Sequence, residues 1–261
     1  MSTLAIVHTT SVTVDSLKAL ALELMPEVSV VNFVDDSILP QLKANGGDVS
    51  KVAQRLVQYA KFAEEVGASV ILNACSSVGE VVPLAQEAVS IPVVRIDEAM
   101  AEKAVKTGSK IVVAATLGTT LDPTMRLLES KARSSGKNVT LDALLVAEAY
   151  EKLIQGDKEG HDRLLAARLE EAGKTADVVV LAQASMAQVL TALPASKQGK
   201  FLTSPRLGME RVKVVLEKGI YLTSSLFLGS SMEFHMEKDA VLLGTTKEEE
   251  YPVLDTRVAG I

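Results

Sequence analysis

Cysteine occurs once in this 261-residue chain, at Cys75, in the segment Asn73-Ala74-Cys75-Ser76-Ser77. The apolar run Ser69–Leu72 just before it reads as a strand, which puts the thiol at a strand-to-helix turn. A thiol there is close to free backbone N–H groups and to the positive end of the helix that follows. Both favour the thiolate, the reactive form of the group. Asn73, Ser76 and Ser77, with the turn amides, are candidates to hold a carboxylate or an enediolate oxygen. The competing reading is a cysteine used as a small buried hydrophobe.

Two further turns carry similar chemistry. His8-Thr9-Thr10-Ser11 follows the first apolar run. Its hydroxyls suit an anion, so Thr9 and Thr10 are candidate carboxylate ligands, and His8 is a candidate acid/base near neutral pH. A histidine satisfied inside the sheet is the alternative. In Ala115-Thr116-Leu117-Gly118-Thr119-Thr120, Gly118 lets the backbone approach a ligand, while Thr116, Thr119 and Thr120 supply donors. No Gly-Lys-Ser/Thr follows, so this is not a P-loop; the alternative is a capped helix start ahead of Asp122-Pro123. Gln183, Ala184 and Ser185 follow the run Asp177–Ala182 as Cys75 follows its own strand. Asp35 and Asp36 could meet a hydroxyl or amine, or form a solvated loop pair. His161 and His235 sit among polar neighbours and are expected at the surface. Nothing resembles a metal-ligand spacing or a G-x-G-x-x-G fingerprint, so no metal or dinucleotide cofactor is expected.

These turns need strands to hold them. Leu4–Val7, Val28–Phe33, Ser69–Leu72, Pro92–Ile96, Lys110–Ala115, Leu141–Val146 and Asp177–Ala182 are continuously apolar, the pattern of a parallel sheet buried on both faces. Helical stretches lie between them, among them Asp15–Leu24, Ser50–Val66, Asp97–Lys106 and Asp122–Ser134, with Asp97 and Asp122 placed as N-caps. The order is that of an α/β protein. It also runs twice. Ser69-Val-Ile-Leu-Asn-Ala-Cys-Ser-Ser matches Asp177-Val-Val-Val-Leu-Ala-Gln-Ala-Ser in layout, and Leu4-Ala-Ile-Val-His-Thr-Thr matches Lys110-Ile-Val-Val-Ala-Ala-Thr. Two such units facing each other would bring four strand ends around one cleft, where ligands of open α/β sheets sit. Ile220–Leu228 could add a strand and Lys247–Glu250 a charged turn, in a tail that breaks the rhythm.

Composition narrows the partners. With 48% apolar and 23% charged residues the chain is globular, long enough for two lobes. A formal net charge of −6, 3% aromatics and no basic stripe argue against nucleic acid. One cysteine excludes an internal disulfide. The start MSTLAIVHTT lacks a basic n-region, and no apolar stretch reaches the roughly 18 residues of a membrane span, so no membrane partner and a cytoplasmic location are expected.

Asn73-Ala-Cys-Ser-Ser, Val93-Val-Arg-Ile-Asp-Glu-Ala-Met, Ala115-Thr-Leu-Gly-Thr-Thr-Leu-Asp-Pro-Thr, Leu181-Ala-Gln-Ala-Ser-Met and Ser204-Pro-Arg-Leu-Gly together resemble the aspartate/glutamate/hydantoin racemase superfamily, which includes maleate isomerase and arylmalonate decarboxylase. The resemblance covers about residues 3–215. It implies two pseudo-symmetric α/β lobes, each a parallel-rich sheet flanked by helices, with the active site in the cleft between them. Residues 1–96 plus 203–261 would form the first lobe and 97–202 the second. It also implies cofactor-independent chemistry beside the carboxylate of a small amino, hydroxy or dicarboxylic acid, and a homodimer by analogy. Racemases of this family use one cysteine per lobe. Cys75 matches the first, but the second position falls on Gln183, and an amide cannot accept the proton. Three readings follow: a one-cysteine racemase- or isomerase-like enzyme, a cofactor-free decarboxylase of a malonate-like acid, and an inactive small-acid binder.

Overall fold

The computed structural model describes residues 2–192, 198–217, 220–223 and 241–244. Strands form where continuous apolar runs predict them. Four of them, β1 (Thr3–His8), β2 (Ser29–Val34), β3 (Val70–Asn73) and β4 (Val93–Arg95), make one sheet in the order β2-β1-β3-β4. The second sheet, ordered β6-β5-β7-β8, contains β5 (Lys110–Ala115), β6 (Thr140–Leu145), β7 (Val178–Leu181) and β8 (Phe201–Thr203). Every pairing in both is parallel. At three residues, β8 is too short to give a periodicity signal in the sequence.

The duplication is visible in the register. Leu4 pairs with Val70 just as Ile111 pairs with Val178. Ile71 pairs with Val93 just as Val179 pairs with Phe201. Matching the sheets in this way puts Thr9 on Thr116, His8 on Ala115 and Cys75 on Gln183. The inner strands are buried except at the first residues of β1 and β5, Thr3 and Lys110, whereas β2 and β6, at the edges, keep partly exposed faces.

Helices α1 (Val14–Leu24), α2 (Ile38–Ala44), α3 (Ser50–Glu65) and α4 (Val82–Glu87) accompany the first sheet. Leu42, Val52, Leu56, Ala60 and Ala85 from them close over Ala5, Val7 and Ile71. On the second sheet, α5 (Glu98–Thr107) and α6 (Gly118–Ser134) cover one face through Met100, Val105 and Leu128. Its other face is covered by α7 (Ala147–Ile154) and α8 (Lys158–Thr175) through Ala149, Leu165 and Leu169. The last helix of this unit, α9 (Ser204–Glu217), lies against the crossing between the lobes. A side-chain carbon built at Gly208 would lie 2.9 Å from Ile96 Cγ1 and overlap the Ile96 carbonyl, so only glycine permits that approach.

Three local expectations are corrected. Asp97 precedes α5 but makes no side-chain cap, because its carboxylate is taken by Arg95. The helix expected from Asp122 begins at Gly118, about one turn earlier, and carries Pro123 inside it. His161 is buried, not on the surface. It shares a face of α8 with Leu165 and Leu169, at four-residue spacing, and its Nδ1 lies 2.7 Å from Asp162 Oδ1. His235 and Lys247–Glu250 lie outside the described residues.

The chain divides into two compact units, Met1–Val215 with both sheets, and Leu216–Ile261. The second contains a parallel pair, β9 (Ile220–Thr223) with β10 (Val241–Gly244). The tail strand expected over 220–228 is thus seen for its first four residues. Among the described residues no helix is long and apolar enough to cross a membrane.

Candidate active site

Val70–Asn73 is buried to its last residue, so β3 must deliver the chain abruptly into the turn that carries Cys75. Asn73 shapes that turn. Its Oδ1 accepts from the Cys75 amide at 3.1 Å, and its Nδ2 donates to the Val78 carbonyl at 3.4 Å. Cys75 itself is extended, and Ser76–Val81 then form a tight 3-10 turn leading to α4. Ser76 and Ser77 are buried.

The sulfur faces donors. The Thr9 hydroxyl, the Ser77 amide and hydroxyl and the Val78 amide are placed around it so as to favour its ionised form. Cys75 keeps some accessible surface, yet protein atoms packed around the sulfur strip it of water. That dehydration is the largest influence and pushes the thiol above its ordinary value, although the four donors pull it down. The expectation that the turn alone would favour a thiolate is therefore corrected, because burial outweighs those groups.

The second lobe reaches this cluster. Ser77 Oγ and Thr120 Oγ1 are 3.0 Å apart, both buried, so a hydroxyl pair joins α6 to the turn that carries Cys75. Arg126, further along α6, donates from Nε and Nη2 to the Glu80 carboxylate at 2.6 and 3.0 Å. Gly118 and Thr119 open α6 with no side-chain cap from Leu117, and both are half-buried. A side-chain carbon built at Gly47, in the turn between α2 and α3, would lie 4.0 Å from Thr119 Cγ2. Lys43 of α2 stands over the Tyr150 ring of α7, 5.5 Å from its centroid.

Gln183 follows β7 and is held as Cys75 is. Its Oε1 accepts from the Thr116 amide at 2.6 Å and the Thr116 hydroxyl at 2.9 Å. An amide N–H can only donate, so this fixes the oxygen toward Thr116 and leaves the Gln183 NH2 turned away from it. Ala184 and Ser185 begin the 3-10 turn Ala184–Ala192, where Ala184 is half-buried and Ser185 exposed. This turn packs against the short 3-10 turn Ser11–Thr13 that follows Thr10. Thr10 accepts from the Val12 amide at 3.4 Å and so spends its side chain on its own turn.

His8 is fully buried, and both its ring nitrogens are engaged. Nε2 lies 3.0 Å from Asn32 Oδ1 and Nδ1 lies 2.9 Å from Thr13 Oγ1. Asn32 Oδ1 accepts, so Nε2 carries the proton and the Thr13 hydroxyl donates to Nδ1. Burial pushes the imidazole below its ordinary value against the bond to Asn32, keeping it neutral. Asp35 is occupied as well. Oδ2 takes Arg55 and Tyr59 at 3.0 Å each, while Oδ1 takes the Ser37 amide and hydroxyl. Burial alone would raise this carboxyl, but those partners together hold it below the usual range. Asp36 is exposed.

Sequence reasoning passed over Arg95. Its Nε and Nη2 donate to Asp97 Oδ1 and Oδ2 at 2.6 and 3.0 Å, and both side chains are almost completely buried. Removing one member of such a pair costs roughly 3–5 kcal/mol, because it leaves an uncompensated buried charge. The available signal was an arginine at the end of an apolar strand with an acid two residues on.

Comparison with known proteins agrees with this geometry. A family profile described as Asp/Glu/Hydantoin racemase matches residues 5–210. Among solved structures, glutamate racemase from Bacillus anthracis superposes with a TM-score of 0.64 at 16% identity, over 86% of this chain and 89% of that one. Glutamate racemase from Francisella tularensis in complex with D-glutamate gives 0.66 at 15% identity, over 83% and 81%. A Gly74Cys mutant of arylmalonate decarboxylase in a sulfate-associated form gives 0.52 at 15% identity, over 82% and 93%. At these identities the structural likeness shows the fold. No curated protein matches. With the family profile spanning both lobes and the paired sheets found in racemase structures, the chain belongs to the Asp/Glu/Hydantoin racemase family.

Proposed function

We propose that this protein is a cofactor-independent racemase- or isomerase-like enzyme that moves a proton beside the carboxylate of a small acid, with Cys75 as its acid/base. One observation carries the reading: Cys75 sits at the end of a central strand, in a turn shaped by Asn73 and met by Thr120 of the other lobe, with the Thr9, Ser77 and Val78 donors around its sulfur. Such an array stabilises the thiolate formed when the S–H is given to a carbanion or enediolate. Gly118, Thr119 and the Gln183 NH2 lie on the opposite lobe, as donors for carboxylate and oxyanion, with Thr116 orienting Gln183 and Thr120 orienting Ser77. His8, neutral and satisfied on both nitrogens, serves here as a support for the Thr9 turn instead of a second base.

Gln183 favours a second reading. Its oxygen is committed to Thr116 and its nitrogen cannot accept a proton, so the position that corresponds to Cys75 presents a donor and no base. A decarboxylase of a malonate-like acid needs only that. Loss of carbon dioxide would leave an enediolate, the Cys75 S–H would protonate its α-carbon, and the thiolate would regain a proton from water.

A screen of small carboxylic acids in deuterated water, read by mass and proton NMR, tests both. Deuterium entering the α-carbon of recovered substrate is expected for the first reading, and loss of carbon dioxide with one deuterium gained for the second. Binding without either change in any acid would leave an inactive binder. Cys75→Ser should abolish turnover while retaining small-acid binding; undiminished turnover in that variant would overturn both enzymatic readings.

A further inference from the structure

The 3-10 turn after Cys75 carries the donors that face the sulfur, and its residue Gly79 has no left-handed backbone to explain a glycine. The reason is contact. A side-chain carbon built at Gly79 would overlap Nε and Cζ of Arg95 and lie 2.8 Å from its Nη2. The guanidinium therefore rests directly on the backbone next to Val78. It is held there from the other side by the two-pronged bond to Asp97, which is wholly buried. The arrangement occurs only in the thiol lobe. The register places Thr203 where Arg95 stands, Pro205 where Asp97 stands and Ala187 where Gly79 stands. The fold therefore does not need the clamp to build this sheet, since its twin is made without one.

We propose that Arg95 is a positioning residue for Cys75: fixed by Asp97 and seated on Gly79, it holds the Ser77 and Val78 donors at the sulfur. It does not touch substrate. The inference rests on the reading of Cys75 as the reacting thiol. The other charged groups around this turn are Glu80, which carries the ion pair to Arg126, and Asp97 itself.

The chain has one cysteine, so its alkylation by iodoacetamide reports one thiol. The rate against pH, measured on the full chain without substrate, gives that thiol's ionisation midpoint. Arg95→Lys keeps the positive charge but loses the planar fork. We expect its midpoint to rise by about one pH unit, roughly a tenfold slower reaction on the rising limb. Gly79→Ala leaves both charges in place but displaces the guanidinium, and should raise the midpoint similarly. Combined with Arg95→Lys it should add less than about twofold, since the group it displaces is gone. Melting curves accompany each variant. An unchanged or lowered midpoint in folded Gly79→Ala overturns the proposal, whether or not the Arg95 variant folds. So does a wild-type profile for Arg95→Lys, which would reduce Arg95 to a charge. If the midpoints shift as expected but Cys75→Ser still turns over substrate, the clamp stands and the catalytic reading falls.

Discussion

The turn after β3 and the turn after β7 are the same structural position built twice, with different chemistry at the tip. In the first, a threonine hydroxyl and two backbone amides face a sulfur; in the second, a threonine hydroxyl and its own amide face the oxygen of an amide side chain. Thr9 and Thr116 correspond in register, as do Cys75 and Gln183. The threonine is thus common to the duplicated scaffold, whereas the residue beside it is a thiol in one copy and an amide in the other. On the function proposed above, that difference makes proton delivery one-sided.

The sharpest way to break that comparison is to remove each tip in turn. Cys75→Ala should lower kcat by about 10²–10⁴-fold, the span of a lost general acid. Gln183→Ala removes a donor and the acceptor that orients Thr116, but no proton-transfer group, and should act mainly on KM, by roughly tenfold. Equal effects on kcat would mean that the lobes share the chemistry. The next largest effect comes from installing a thiol. In Gln183→Cys the new sulfur would meet the Thr116 amide and hydroxyl as Cys75 meets Thr9. We expect a second alkylatable cysteine and solvent deuterium entering both enantiomers of the substrate. A folded variant that labels one enantiomer only would show that the second position cannot address the opposite face.

Smaller effects separate the two threonines. Thr9→Val takes away a donor to the thiolate and should raise the alkylation midpoint of Cys75 further. Thr116→Val should leave that midpoint where it was and weaken acid binding a few-fold by releasing Gln183. A Cys75 midpoint that moves equally in both would mean that the two sites are electrostatically coupled.

Much of this was legible in the residues. Continuous runs such as Lys110–Ala115 located the strands, and the echo between the segments around Cys75 and Gln183 located the duplication, because a buried parallel strand has a composition no turn shares. Among the turn residues, Ser77 meets Thr120 and Thr116 meets Gln183. What the residues did not reveal depends on partners far apart in sequence. Thr120 meets Ser77 across 43 positions, and Asp97 is drawn from a helix cap into a buried pair by Arg95. Local pattern also misjudged ionisation. A strand-to-helix turn suggests a thiolate, but burial, which only the packed fold specifies, outweighs the donors. His161 was the reverse case: its four-residue spacing to Leu165 and Leu169 was in plain view, but polar neighbours concealed it.

His8 and Ala115 extend the comparison to the strand ends that precede the two threonines. Both are fully buried, but only the first lobe places an ionisable group there. Burial lowers the His8 value from an ordinary 6.5, so the folded state holds the imidazole neutral while the unfolded chain takes up a proton near pH 6.5. Between the two values the unfolded state binds more protons, and stability rises with pH in that window. The contribution is therefore complete above about pH 6.5 and is lost as pH falls toward the depressed folded value. Urea midpoints measured from pH 7.5 to 5 should decline through the histidine range, before the paired carboxylate of Asp35 begins to protonate. In His8→Gln, which can still donate to Asn32, part of that decline should disappear. If His8→Gln keeps the whole decline, the acid sensitivity belongs to other groups, and the neutral support assigned to the Thr9 turn is wrong.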